Sequence, residues 1–282
     1  ARAFTKFNAY GLAKYDRADA IKLRDVLFLC HAKPKDAEQA ETWKQLIAGT
    51  LPIPDTWETE LSAGKDKQAT WTRLIMEKKL GALALLRNLR NMQKVDVEEN
   101  VIRQALAEMD VGRVLPFRFL AAARFAPRLE PGLEAAMFRC LEDQPKLAGR
   151  TALIVDTSPS MWMAKVSAKS DLDRFDAAAA LAVLCRETCE AVNVYAFNER
   201  SYDVPARRGF ALRDALAQTK GSYSRGGMAV EAANKQGYDR IVVITDGEWH
   251  YPTGDRDGPA AAVSPAPLTE KAYLVNVGSY RN

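Results

Sequence analysis

Two short segments set hard oxygen ligands where one cation could sit. Asp156-Thr157-Ser158-Pro159-Ser160 carries a carboxylate and two hydroxyls at alternate positions. One turn can therefore aim all three at a single point. Asp246 stands in Ile244-Thr245-Asp246-Gly247, directly after another apolar run. Asp156, Ser158, Ser160 and Asp246 make an oxygen-only set. It suits Mg2+ first, then Mn2+ or Ca2+, with water or a ligand carboxylate or phosphate completing the shell. The plainer alternative is that Asp156 and Ser158 cap a helix start.

The elements that must position these residues alternate. Thr151–Val155 has the apolar character of a short buried strand, and Phe175–Glu190 has helical spacing. A strand over Val192–Phe197 follows, then a helix from Met228 and strands over Arg240–Thr245 and Ala272–Val277. Strands alternating with helices predict a doubly wound, mostly parallel α/β sheet. Ligands of such sheets bind beyond the carboxyl ends of the strands, where Asp156 and Asp246 fall.

The chain before Gly149 reads differently. Ile21, Leu23, Val26, Leu27, Leu29 and Cys30 recur at helical spacing. Pro34 closes that segment, and a second helix runs from Asp36 to Ile47. Further helices are expected around Trp71–Leu80, Leu83–Leu89 and Val97–Met109. Pro116 and Pro131 stand at first-turn positions of two more. Short amphipathic helices in series, broken by Pro or Gly, predict a solenoid of paired helices, and a plain bundle remains open. The expected fold class is thus multidomain, α and α/β. Residues 1–148 form the helical part and residues 149–282 the α/β part.

Composition bounds the function classes. The 282 residues are 48% hydrophobic and 27% charged, with a net charge of +4. Residues 1–150 hold 25 Lys and Arg against 20 Asp and Glu, whereas the rest hold 15 against 16. The positive excess therefore lies in the helical part and favours a polyanionic partner. No apolar run approaches the ~20 residues of a membrane span, so no membrane partner is expected. The N-terminus has no apolar signal-peptide core. The first residue is not Met, so the chain reads as a piece of something longer. Cys30, Cys140, Cys185 and Cys189 fit reduced thiols packed in helices, the last two on one face of the same helix. Reduced thiols imply a cytoplasmic location.

Several segments resemble the Ro ribonucleoprotein family, whose helical RNA-binding module is called TROVE. Leu29-Cys30-His31-Ala32-Lys33-Pro34 is similar to a Leu-Ser-His-x-Lys-Pro segment of that family. Leu85-Leu86-Arg87-Asn88-Leu89 matches its Leu-Leu-Arg-Asn-Leu segment, and Leu115-Pro116-Phe117 resembles the start of a later helix. Gly149-Arg150 leading into Asp156-x-Ser158-x-Ser160-Met161 resembles the junction with a von Willebrand A-type domain and its metal-ion-dependent adhesion site. Order and spacing agree from about Lys14 to Val277. The resemblance implies HEAT-like helical repeats over 1–148 and an A-type domain over 149–282. It places RNA contacts at Lys14, Arg17 and His31, with Arg24 and Lys33 nearby. It implies binding of a small structured Y-like RNA and of single-stranded 3′ ends of defective RNA, in RNA stabilisation or quality control. By analogy a 3′-exoribonuclease is a further partner. The family's helical module is longer at its N-terminus, and Met228 stands where its metal site has a Thr ligand.

The expected protein is therefore a non-enzymatic RNA binder. The alternative is an adaptor whose A-type metal bridges to an acidic protein partner. A phosphodiester hydrolase is a third reading, weakened by the lack of a two-metal set and of any general base but His250.

Overall fold

The computed structural model describes residues 2–16, 20–52, 55–62, 64–168, 170–248 and 266–278. The chain divides into two compact units, Ala1–Leu80 and Gly81–Asn282.

The first unit is helical. It holds α1 (Ala9–Tyr15), α2 (Leu23–Leu29), α3 (Ala37–Ala48), α4 (Trp57–Ser62) and α5 (Lys67–Met76). Short polar side chains start three of them. Asn8, Asp36 and Asp66 accept hydrogen bonds from the backbone N–H groups of Gly11, Gln39 and Ala69. These N-caps satisfy donors that a helix start leaves open. Gly49, at φ +71°, ends α3 in a left-handed conformation that glycine adopts at little cost. Phe4, Leu12, Leu27, Trp43 and Leu46 form a core. Trp57 stacks on the buried Trp71, with ring centroids 5.7 Å apart.

The second unit joins four helices to a sheet. They are α6 (Ala82–Lys94), α7 (Glu99–Glu108), α8 (Pro116–Phe125) and α9 (Glu130–Glu142). Pro116 and Pro131 lie in the first turns of α8 and α9, where the missing N–H costs nothing. Then come β1 (Leu147–Asp156), α10 (Pro159–Met163), α11 (Arg174–Thr188), β2 (Cys189–Phe197), β3 (Ser201–Val204), α12 (Gly209–Ala217), α13 (Gly226–Asn234), β4 (Arg240–Thr245) and β5 (Lys271–Asn276). The sheet runs β3-β2-β1-β4-β5, parallel except for the edge strand β3. Ala152, Ile154, Tyr195, Phe197, Ile241 and Val243 face α13. The opposite face receives α11, and α8 and α12 pack on α11 in turn.

A mixed architecture of helical and sheet regions is what the periodicity predicts. Three details differ. Cys189 begins β2 instead of sharing a helix with Cys185, because α11 stops at Thr188. β3 and α12 carry no strong periodic signal and were not anticipated. The change from helix to strand falls near residue 147, but the compact units divide at Leu80/Gly81. The helices of residues 81–142 pack with the sheet, through α11 and α12.

Candidate functional site

β1 and β4 are neighbouring parallel strands, with Val155 paired to Ile244. Their carboxyl ends therefore deliver Asp156 and Asp246 side by side, both fully buried. Asp156 Oδ1 accepts from the Ser158 N–H at 2.9 Å, and Oδ2 accepts from Thr245 Oγ1 at 2.6 Å. Ser158 Oγ lies 3.3 Å from Ser160 Oγ. Asp246 Oδ1 accepts from the Glu248 N–H at 3.1 Å. Its other oxygen, Oδ2, takes a charged hydrogen bond of 2.7 Å from Arg174 Nη1. The Arg174 side chain is itself nearly buried, and Glu248 Oε1 lies 3.6 Å away.

This geometry corrects the expectation of a divalent cation. Among the described residues no group of three or more His, Cys, Asp or Glu side chains could hold a metal ion. Both oxygens of Asp156 accept hydrogen bonds, and a guanidinium supplies the positive charge that faces Asp246. Met228, in the position of the expected Thr, is exposed and offers only a soft thioether. The four residues singled out by their spacing do meet at the sheet's carboxyl edge, but the charge partner of Asp246 is Arg174. Sequence reasoning missed Arg174: it lies 72 residues from Asp246, and no spacing rule links the two. Burial pushes the Asp156 carboxyl above the usual carboxylate range. The hydrogen bonds from Thr245 and Ser158 oppose that shift, and the charge of Asp246 adds to it.

A recess of about 520 Å³ opens above this edge, lined by Ser158, Ser160, Arg174, Ser222, Ser224 and Glu248 among others. His250 lies outside the described residues.

The basic residues of the first unit are dispersed in their roles. Lys14 ends α1 with its ammonium 3.2 Å from Glu58 Oε1 and 5.7 Å from the Tyr10 ring centre. The hydrogen bond it donates to Glu58 raises its pKa. Arg24, on α2, lies 3.7 Å from Asp25. His31 follows α2 at φ +47°, exposed, with its N–H donating to the Phe28 carbonyl at 3.1 Å. Lys33 is exposed two residues on. Arg17 lies outside the described residues.

Residues 38–174 match the family model of the TROVE domain. Telomerase protein component 1 of mouse and of rat are 36% and 38% identical to it, each over 102 residues. Those alignments cover 33% of this chain and 4% of either relative, so the chain spans a small part of the proteins it matches. The solved structure of the Ro (Rsr) protein of Deinococcus radiodurans aligns over 98% of this chain and 72% of its own. The TM-score is 0.58 at 20% identity, a likeness of fold. The TROVE match begins in α3 and ends at Arg174, the first residue of α11. It takes in Asp156, Ser158 and Ser160. Lys14, Arg24, His31 and Lys33 precede it, and Asp246 follows it.

Proposed function

We propose that this chain binds RNA through its helical part, holding small structured RNA of the Y type and single-stranded 3′ ends of defective RNA. TROVE-family proteins are non-enzymatic RNA-binding proteins, and the chain is accordingly not an enzyme. The observation that carries the reading is the TROVE match over residues 38–174. The excess of Lys and Arg in residues 1–150 supports it, since phosphate neutralisation supplies most non-specific affinity. In this reading His31 and Lys33, exposed at the end of α2, contact the structured RNA. Arg24 lies beside them, and Lys14 and Arg17 extend the surface. HEAT-like pairing of the helices and a von Willebrand A-type origin of the α/β part belong to the same proposal. So do a 3′-exoribonuclease as partner and a cytoplasmic location.

The test is recovery of crosslinked RNA from native cells, followed by sequencing, with a His31→Ser/Lys33→Ala form alongside. One dominant small structured RNA, lost from the variant, is the expected result. RNA no richer than background on the unaltered chain would overturn the reading. Binding should also weaken steeply with salt, because each phosphate neutralised releases counterions.

A further inference from the structure

The second unit holds a groove that the residues considered so far do not line. Its volume is about 930 Å³, and its walls come from α6, α8, α11 and the segment at 166–172. α8 brings Phe117, Ala121 and Phe125 to it, at spacings of four and so on one helix face. α11 brings Ala177, Leu181 and Leu184, at spacings of four and three. All six are half-buried or exposed. Leu115, in the same lining, is 57% exposed. α8 packs directly on α11. Two adjoining apolar helix faces therefore stand without a third element against them among the described residues.

Charge marks the same groove. Arg87 and Arg90 of α6 and Arg118 of α8 line it and are exposed. None of the three is ion-paired with a carboxylate among the described residues. Arg73, Arg103, Arg124, Arg174 and Arg208, by contrast, each have an acidic partner. The one acidic side chain in the lining is Asp171. Three cations against one carboxylate leave the groove net positive beside its apolar stripes.

Two apolar stripes side by side accept a third helix by an apolar stripe of its own. Cations without counter-charge along one wall call for acidic residues flanking that stripe. Phe125 and Phe117 are already engaged within the chain. The Arg90 guanidinium is 5.3 Å from the Phe125 ring centre, and that of Arg118 is 4.9 Å from Phe117. The surface left open is therefore chiefly aliphatic. Aliphatic walls match leucine-like side chains, whereas bases stack on open ring faces. We infer that the α6–α8–α11 groove docks an amphipathic helix of a protein partner, apolar on one face and acidic along its flank. Its apolar residues seat between the stripes of α8 and α11, and its carboxylates meet Arg87, Arg90 and Arg118. From Phe117 to Phe125 the wall is about 12 Å long at ~1.5 Å per residue, roughly two turns of docked helix. The inference does not rest on the RNA-binding reading, and either can fail without the other.

The experiment uses the full chain and fluorescence anisotropy. The first probe is a labelled helix-forming peptide with leucines at i, i+4 and i+7 and glutamates flanking them. A second has the same composition rearranged so that the leucines share no face. A third carries lysine in place of every glutamate. The first should bind the unaltered chain at least tenfold more tightly than either of the others. An Arg87→Glu/Arg90→Glu/Arg118→Glu form should lose the glutamate peptide by at least tenfold and gain affinity for the lysine peptide. Exchange of preference is a readout that misfolding does not produce, and thermal melting monitors the fold. Leu181→Gln should weaken the glutamate peptide and keep the preference for it over the lysine peptide. Equal binding of the first and second peptides, or of Leu181→Gln and the unaltered chain, would overturn the apolar seat. Full affinity for the glutamate peptide in the charge-reversed form would overturn the groove as its site. A labelled oligouridylate lost in that form, with no peptide bound by the unaltered chain, would make the groove an RNA surface and overturn the protein partner.

Discussion

Asp246 shows what a local motif can and cannot reveal. Asp156-x-Ser158-x-Ser160 and Asp246 are visible in the sequence because each follows an apolar run and lies within a few residues of a turn. Arg174 is not, because the pairing is made only when β4 and the start of α11 meet. The consequence is energetic. A buried carboxylate deprived of its counter-charge destabilises a protein by about 3–5 kcal/mol, while replacing both partners with neutral groups costs far less. Arg174→Met should therefore lower the urea midpoint strongly, and Arg174→Met/Asp246→Asn should recover most of the loss. An additive double variant in equilibrium unfolding would mean that the pair carries no coupling. Asp156 adds a pH dependence. Its folded pKa is raised, so the folded protein retains a proton that the unfolded chain has already released. That contribution to stability is complete below the unfolded value and is lost as pH rises through the folded one. Unfolding curves should show Asp156→Asn gaining stability relative to the unaltered chain as pH rises from 4 to 7. A constant difference across that range would mean that Asp156 does not titrate differently in the fold.

Whole elements were more legible than their connections. β1, β4 and α8 follow directly from apolar runs and from a proline at a helix start. β3 is four residues on a sheet edge, too short for alternation to mark it, and α12 is fixed by contacts made elsewhere. Its first turn is held by Glu134 of α9, whose Oε1 accepts from the Phe210 N–H at 2.8 Å. α11 illustrates the opposite case. Its run of alanines reads as a helix but hides how closely it is enclosed. Ala178, Ala179 and Ala182 are fully buried, because the helix packs on β1, β2 and β4 and also against α8 and α12. Small side chains permit that approach. Overfilling a packed core costs about 1–3 kcal/mol. Ala179→Leu should lower the unfolding free energy by that amount, read as a lower urea midpoint with an unchanged denaturant slope. A neutral result would show space around α11 that the packing does not indicate.

At the scale of the molecule, the sequence marks a change of periodicity and the structure marks a change of packing, and the two do not coincide. Periodicity turns from helix to strand at Gly149, but the compact unit begins at Gly81. The reason lies in what the helices before β1 cover. Phe119 and Leu120 of α8 are buried, and α8 packs directly on α11. Arg124 of α8 forms an ion pair with the buried Asp176 at the start of α11, and its Nη1 donates to the Asp171 carbonyl at 3.1 Å. Arg213 of α12 reaches the same carboxylate at 3.5 Å. A fragment beginning at 149 loses α8, uncovers the apolar side of α11 and leaves Asp176 with Arg213 as its remaining ion-pair partner. A fragment beginning at 81 keeps the whole arrangement. Expressed separately, residues 81–282 should give sharp near-ultraviolet circular dichroism and a single cooperative melt, while residues 149–282 should aggregate or melt without cooperativity. If residues 149–282 folded as cooperatively as residues 81–282, the helices α6–α9 would be a separable module, and the change of periodicity would mark the true boundary.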